Sequence, residues 1–160
     1  MRISTLQPRL VEYIPDQLED GVLYISQRFR TCSHRCCCGC GEEVVTPLSP
    51  AEWALTMEGS AASLWPSIGN WDYECGSHYV VRRNQVLWAE PMTAGQIAAV
   101  QRRDRVDLER LVMRENRQKD ERQLSEAGVE LPLPKRSSRA ASGESGRLWA
   151  WLQKVFSLFG

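Results

Sequence analysis

Two short stretches hold most of the residues in this chain that could do chemistry. "SHRCCCGCGEEVVTPL", Ser33 to Leu48, carries four of the six cysteines within five residues (Cys36, Cys37, Cys38 and Cys40) and one of the two histidines, His34. Cys32 lies just upstream. The second stretch, "ECGSHYVV", carries Cys75 and His78 as a C-x-x-H pair. His34, Cys36, Cys38 and Cys40 alternate with other residues. Thiolates and imidazoles at this density are metal ligands, and a structural zinc site takes about four of them. A loop cluster joined by a distant pair is one way a chain closes such a site. Gly39 and Gly41 supply the positive φ that a knuckle of backbone around an ion requires. Either Cys37 with Cys40, or Cys36 and Cys38 with Cys40, could form that knuckle, and spacing does not choose between them. The candidate ligands are His34, Cys36, Cys38, Cys40, Cys75 and His78, with Cys37 still open. Zinc is favoured over copper(I) because the set mixes sulfur with nitrogen. Cys32 is the expected bystander, since an isolated cysteine is commonly a buried core residue.

The same residues allow a different use. A thiol becomes a nucleophile when a neighbouring imidazole lowers its pKa. His78 opens "SHYVVRRNQVLWAE", a strand, turn and strand, and papain-like cysteine peptidases, including ubiquitin-specific ones, carry their general-base histidine in a similar context. By that similarity Cys36, Cys38 or Cys40 is the nucleophile, with Cys38 carried forward, and His78 is the base. Asn70, Asp72 or Glu74 would orient the imidazole. A thiolate held in a closed zinc site is not a free nucleophile, so the two uses compete. A zinc hydrolase would need an open metal position, with Glu42 or Glu43 as base to a bound water. Ser67, in "LWPSIGNW", has no G-x-S-x-G elbow around it and reads as a turn before Gly69 and Asn70.

The elements that must position these groups follow from patterning. The chain has 160 residues, about one domain, and 42% are hydrophobic, enough for a packed core. Residues 1–92 contain all the cysteines and histidines and several strand-like runs: "VLYIS" after the Asp20-Gly21 turn, "EVVTPL", "WALTME", "ASLWPSI", and a hairpin of "HYVVRR" and "QVLWAE" around Asn84. "PDQLED" is the one helical-looking run there. Trp53, Trp65, Trp71 and Trp88 read as core aromatics. Residues 93–124 form a charged amphipathic helix with Thr93 as N-cap. Residues 125–146, rich in Ser, Pro, Gly and charge, form a flexible linker. Residues 147–160, "RLWAWLQKVFSLFG", form an apolar helix that must bury itself against the domain, a partner or, less in keeping with its weak positive charge, a membrane interface. The expected fold class is α+β: a small, mainly antiparallel sheet domain braced by a Cys/His metal site, with a helical C-terminal extension. A formal net charge of zero argues against a dedicated nucleic-acid binder. No charged start followed by an apolar run opens the chain, and no stretch reaches the roughly 18 apolar residues of a membrane span. A cytoplasmic setting with reduced thiols is expected.

Over residues 20–90 the chain resembles an uncharacterised bacterial domain family found beside E1-like, E2-like and ubiquitin-like proteins in bacterial ubiquitin-like conjugation operons. The motifs occur in order: His-x-Cys-x-Cys-Gly-Cys-Gly on His34, Cys36, Cys38 and Cys40, Thr-Pro-Leu on Thr46 to Leu48, Trp53, Ser-Leu-x-Pro-Ser-Ile on Ser63 to Ile68, and Cys-x-Ser-His-Tyr on Cys75 to Tyr79. Cys37 falls where the pattern is open, which makes it a second bystander. The resemblance implies partners, namely a ubiquitin-like modifier and its E1-like and E2-like proteins. It implies a step that matures or removes the modifier, hence a peptidase, with a zinc-braced adaptor or ligase-like factor as the alternative. Residues after 93 lie outside the resemblance.

Overall fold

The structure, a computed structural model, describes residues 1–127. The expected linker lies almost wholly outside those residues, and the expected helix over 147–160 lies wholly outside them.

Eight strands form two four-stranded sheets. The first comprises β1 (Gln7–Val11), β2 (Val22–Ser26), β3 (Thr31–Arg35) and β4 (Glu43–Pro47) in that order. The second comprises β5 (Ala54–Glu58), β6 (Ala61–Gly69), β7 (His78–Arg82) and β8 (Gln85–Trp88), also in chain order. All pairings are antiparallel except β1 with β2. The fold is thus the expected α+β, with the sheet material divided in two. β2 is buried at all five positions, which is why "VLYIS" reads as an unbroken apolar run rather than an alternating one. β6 and β7 do alternate. Ala62, Leu64, Ile68, Tyr79 and Val81 point inward and are almost fully buried. Their neighbours point to the opposite face.

Both sheets contribute to one core cluster, in which Leu23, Ile25 and Val44 from the first meet Leu64, Ile68, Tyr79 and Val81 from the second. The segment before β1 stitches the two together. Val86 N–H donates to the Ser4 carbonyl and Leu6 N–H to that of Asn84, so residues 4–6 run beside β8 before the chain joins the first sheet. The β7–β8 hairpin turns on two residues, Arg83 (φ 49°) and Asn84 (φ 69°), the left-handed pair that suits the twist of such a ribbon. Asn84 Oδ1 also accepts the Ala62 N–H at 2.7 Å, which fastens the turn to β6.

Three local expectations need correction. Trp65 is not a core aromatic: it is 70% exposed, at an outward position of β6. "PDQLED" forms no helix; it passes through bends into the Asp20-Gly21 turn, since a six-residue run opened by Pro15 has no partner face long enough to nucleate on. Ser67 lies in β6, not in a turn, because the Trp65–Pro66 step breaks the β6–β7 register without ending the strand.

The helix α1 (Ala94–Glu126) begins after a capping box: Gln96 N–H donates to Thr93 Oγ1, and Gln96 Oε1 accepts from the Thr93 N–H at 2.8 Å. None of its residues is buried, which fits its dense mixed charge. Among the described residues no helix is long and apolar enough to cross a membrane.

Candidate functional site

β3 ends at Arg35, and the chain then folds into a tight loop before β4. Cys36 N–H donates to the Glu42 carbonyl and Gly39 N–H to that of Cys36, closing the loop on itself. Gly39 (φ 86°) and Gly41 (φ 91°) take the left-handed conformation that this curl requires. The result directs Cys36, Cys38 and Cys40 to one point. Cys75 reaches the same point from the β6–β7 connection, and the four Sγ atoms lie within 4.8 Å of one another. Cys36 Sγ is 3.4 Å from Cys38 Sγ and 3.9 Å from Cys75 Sγ. Tetrahedral zinc with Zn–S bonds of about 2.3 Å would hold sulfurs about 3.8 Å apart. The donor set therefore fits a metal ion, and the four cysteines could hold one.

Polar groups surround the sulfurs as a ligand's outer support does. The Cys40 N–H donates to Cys38 Sγ at 3.3 Å, and Asn70 Nδ2 donates to Cys36 Sγ at 3.6 Å and to Ser77 Oγ at 2.8 Å. Ser77 Oγ lies 3.1 Å from Cys36 Sγ. Burial pushes the Cys36 and Cys38 thiols up. Burial acts the same way on Cys75, but hydrogen bonds from the Ser77 hydroxyl and amide outweigh it and bring that thiol down to about 7. Asn70 is buried and also receives the chain on the far side of the loop, where its own N–H donates to the Ser77 carbonyl at 2.9 Å. Asn70→Ala leaves that hydroxyl and sulfur without their donor. It should cost about 1–3 kcal/mol, read as a lowered midpoint in thermal or urea unfolding; an unchanged midpoint would show the amide to be dispensable.

Two of the expected ligands stand apart from the four thiols, which narrows the expected set of six. His34 points from β3 into the core, fully buried, with Nε2 2.8 Å from the Tyr79 hydroxyl. Its Nδ1 has no partner among the described residues, and burial lowers its pKa to about 4, so it is a neutral core imidazole. His78 is not among the grouped ligand atoms; its ring lies against Trp71 and the Glu90 carbonyl. Cys32 and Cys37 are fully buried, and burial pushes each thiol up to about 12, which makes them inert at neutral pH.

β7 begins at His78, directly opposite Gly69 of β6. Ile68 and Tyr79 form the adjacent pair and point inward, so Gly69 and His78 point outward, and so does Ser67. Ser67 lies in the irregular stretch of that pairing, between Leu64 opposite Val81 and Ile68 opposite Tyr79, and is two residues along β6 from Gly69, the partner of His78. The His78 ring is held on two sides. Its Nδ1 is 3.3 Å from the Glu90 carbonyl, and its ring centroid is 4.9 Å from that of Trp71. A carbonyl oxygen can only accept, so Nδ1 carries the proton and Nε2 is left as a basic nitrogen. Trp71 can lie there only because residue 69 is glycine: a Cβ at Gly69 would fall 2.2 Å from the indole. The imidazole also lines a cavity of about 370 Å³, together with Trp71 and, from the first turns of α1, Ile97 and Gln101. No elbow motif surrounds Ser67; its relation to His78 is one of strand position, two residues before Gly69 in the strand that pairs with His78's.

No curated protein and no solved structure matches the chain. The model of a protein family described as the bacterial ubiquitination-like system serine protease, BubE, matches residues 10–89, half of the 160 residues, and the chain belongs to that family.

Proposed function

We propose that the chain is a serine protease of a bacterial ubiquitination-like system, with Ser67 as nucleophile and His78 as general base, acting on the system's ubiquitin-like modifier. The observation that carries this reading is the pairing of β6 with β7, in which Ser67 lies two residues from the partner of His78, an imidazole with its Nδ1 tied to the Glu90 carbonyl. In that geometry Ser67 Oγ attacks the scissile carbonyl as its proton passes to His78 Nε2. The imidazolium then gives the proton to the leaving amine, and water repeats the sequence to release the acyl group. The Glu90 carbonyl fills the orienting role that a carboxylate fills in a triad. Ser77 is a poor nucleophile by comparison, being buried and already engaged by Asn70 and Cys36.

The thiol-nucleophile alternative, Cys38 with His78, has less support. Cys38 Sγ is packed against Cys36 Sγ and accepts the Cys40 amide, as a metal ligand does. We assign Cys36, Cys38, Cys40 and Cys75 to a structural zinc ion, since four thiolates in a closed set suit zinc and leave no open position for substrate or water. Zinc bound there supplies a fixed cross-link; the chemistry rests on Ser67 and His78. The modifier, with its E1-like and E2-like proteins, is the expected set of partners.

The test is covalent trapping. A fluorophosphonate probe should label Ser67, located by mass spectrometry of the digested protein, and His78→Ala should suppress the labelling. Reaction at a cysteine with a thiol-directed probe, with Ser67 inert, would instead favour the Cys38 reading.

A further inference from the structure

The cavity beside His78 plays no part in the chemistry above, yet its position and lining define what it would hold. His78 forms part of its wall and Ser67 does not. In acyl transfer the imidazolium must reach the leaving amine, so the residue released by cleavage lies against the histidine, on the side away from the acyl group. We assign the cavity to that side because His78 lines it and Ser67 does not. Apolar and polar groups share its surface about equally, the apolar part coming from the Trp71 indole, Pro91, Met92 and Ile97. Its charged lining residue is Asp72, and no lysine or arginine lines it. Asp72 has no ion-pair partner among the described residues. Glu74 and Glu90, both exposed, belong to the segments on either side and add charge of the same sign.

We propose that this cavity is the leaving-group pocket and that it selects a basic side chain, lysine or arginine, on the first residue released by cleavage. Long basic side chains suit such a lining because their methylene stems pack on apolar walls while the cation stays at a polar site. Here the stem would lie on Trp71, Met92 and Ile97, and the cation would meet the Asp72 carboxylate. A glutamate in the same place would set two carboxylates against each other. The inference rests on the Ser67–His78 reading for the direction of cleavage.

Two measurements test the pocket and keep its failure separate from failure of that reading. In the first, lysine amide and norleucine amide are titrated into the full chain, and the backbone and side-chain amide resonances of Gly76 and Gln101 are followed by NMR. The two probes differ by one cationic group and mimic the released residue. Lysine amide should bind about fivefold more tightly, as expected of an ion pair open to solvent, and the preference should vanish in Asp72→Asn. In the second, a ubiquitin-like protein of such a system is fused through its C-terminus to peptides beginning with Lys, Arg, Met or Glu. The Lys and Arg fusions should be cleaved about fivefold faster than Met and faster still than Glu, and Asp72→Lys should reverse the order of Lys and Glu. Absence of an Asp72-dependent preference in the titration overturns the pocket whatever the fusions do. If the preference holds and no fusion is cleaved, the Ser67–His78 reading fails and the basic selectivity of the cavity stands.

Discussion

Ser67→Ala is expected to lower cleavage of a ubiquitin-like protein fused through its C-terminus by about 10⁴-fold or more, with folding unchanged. The expectation of a silent structural effect comes from the position. Ser67 points to the outer face of β6, next to the inward-facing Ile68, so removing its hydroxyl opens no cavity in the core. The size of the kinetic effect comes from the chemistry, because nothing else on that face replaces an attacking oxygen. His78→Ala should cost a similar factor, and the double variant little more, since the two groups act as one unit and their losses do not add. Cys38→Ala gives the contrast. On the proposed reading it loses activity through loss of the metal, and its unfolding midpoint falls in step. On the cysteine-nucleophile reading it loses activity alone. Rates and midpoints for the three variants therefore separate the mechanisms. A Ser67→Ala protein that cleaves at the wild-type rate would end the serine assignment.

Removing the metal should be the largest perturbation of the fold. Protein purified without added metal is expected to hold about one equivalent of zinc, and a strong chelator should release it. Structural zinc supplies on the order of 10 kcal/mol in small metal-folded domains, while a domain of this size is stable by only about 5–15 kcal/mol. Even a loss of about 5 kcal/mol would lower the melting temperature by roughly 20 °C or more. Cys36→Ala should do the same without chelator, since Cys36 is fully buried and touches Cys38, Cys75 and Ser77. Elemental analysis alongside calorimetry checks both. Less than half an equivalent of metal with a chelator-insensitive melt would mean that the thiols are packed in the core without an ion. Acidification should work in the same direction as chelation, because each thiolate must take up a proton when the ion leaves.

The strands were legible in the sequence because their side chains meet different environments on their two faces. The hairpin around Asn84 was legible for a further reason, a turn residue suited to positive φ between two β-branched runs. The split into two sheets was not legible. Nor was the way the sheets are joined, since residues 4–6 run beside β8 through backbone contacts unmarked by any residue type. The thiols of the site could be read because cysteines at this density have few uses, and the glycines beside them signalled the loop. The histidines were ambiguous for a physical reason: imidazole serves equally as ligand, base and core filler. His34 sits in a strand whose ladder with β4, His34 opposite Val44, turns it toward Tyr79 and away from the sulfurs. His78 is drawn off by one residue of strand parity, since Tyr79 takes the inward position. Ser67 could not stand out, because its neighbourhood with His78 arises from pairing between β6 and β7 and not from any local motif.

The cysteine cluster also governs the order in which the molecule can assemble. Three of its sulfurs come from the loop after β3, in the first sheet, while the fourth comes from the connection between β6 and β7, in the second. Cys36 and Cys75 are 39 residues apart. Closing a loop of that length in an unfolded chain costs about 3 kcal/mol of entropy. A metal ion bound first by Cys36, Cys38 and Cys40 would favour that closure by recruiting Cys75, before the two inner faces have packed. Metal availability during synthesis would then act on the rate at which the sheets find each other.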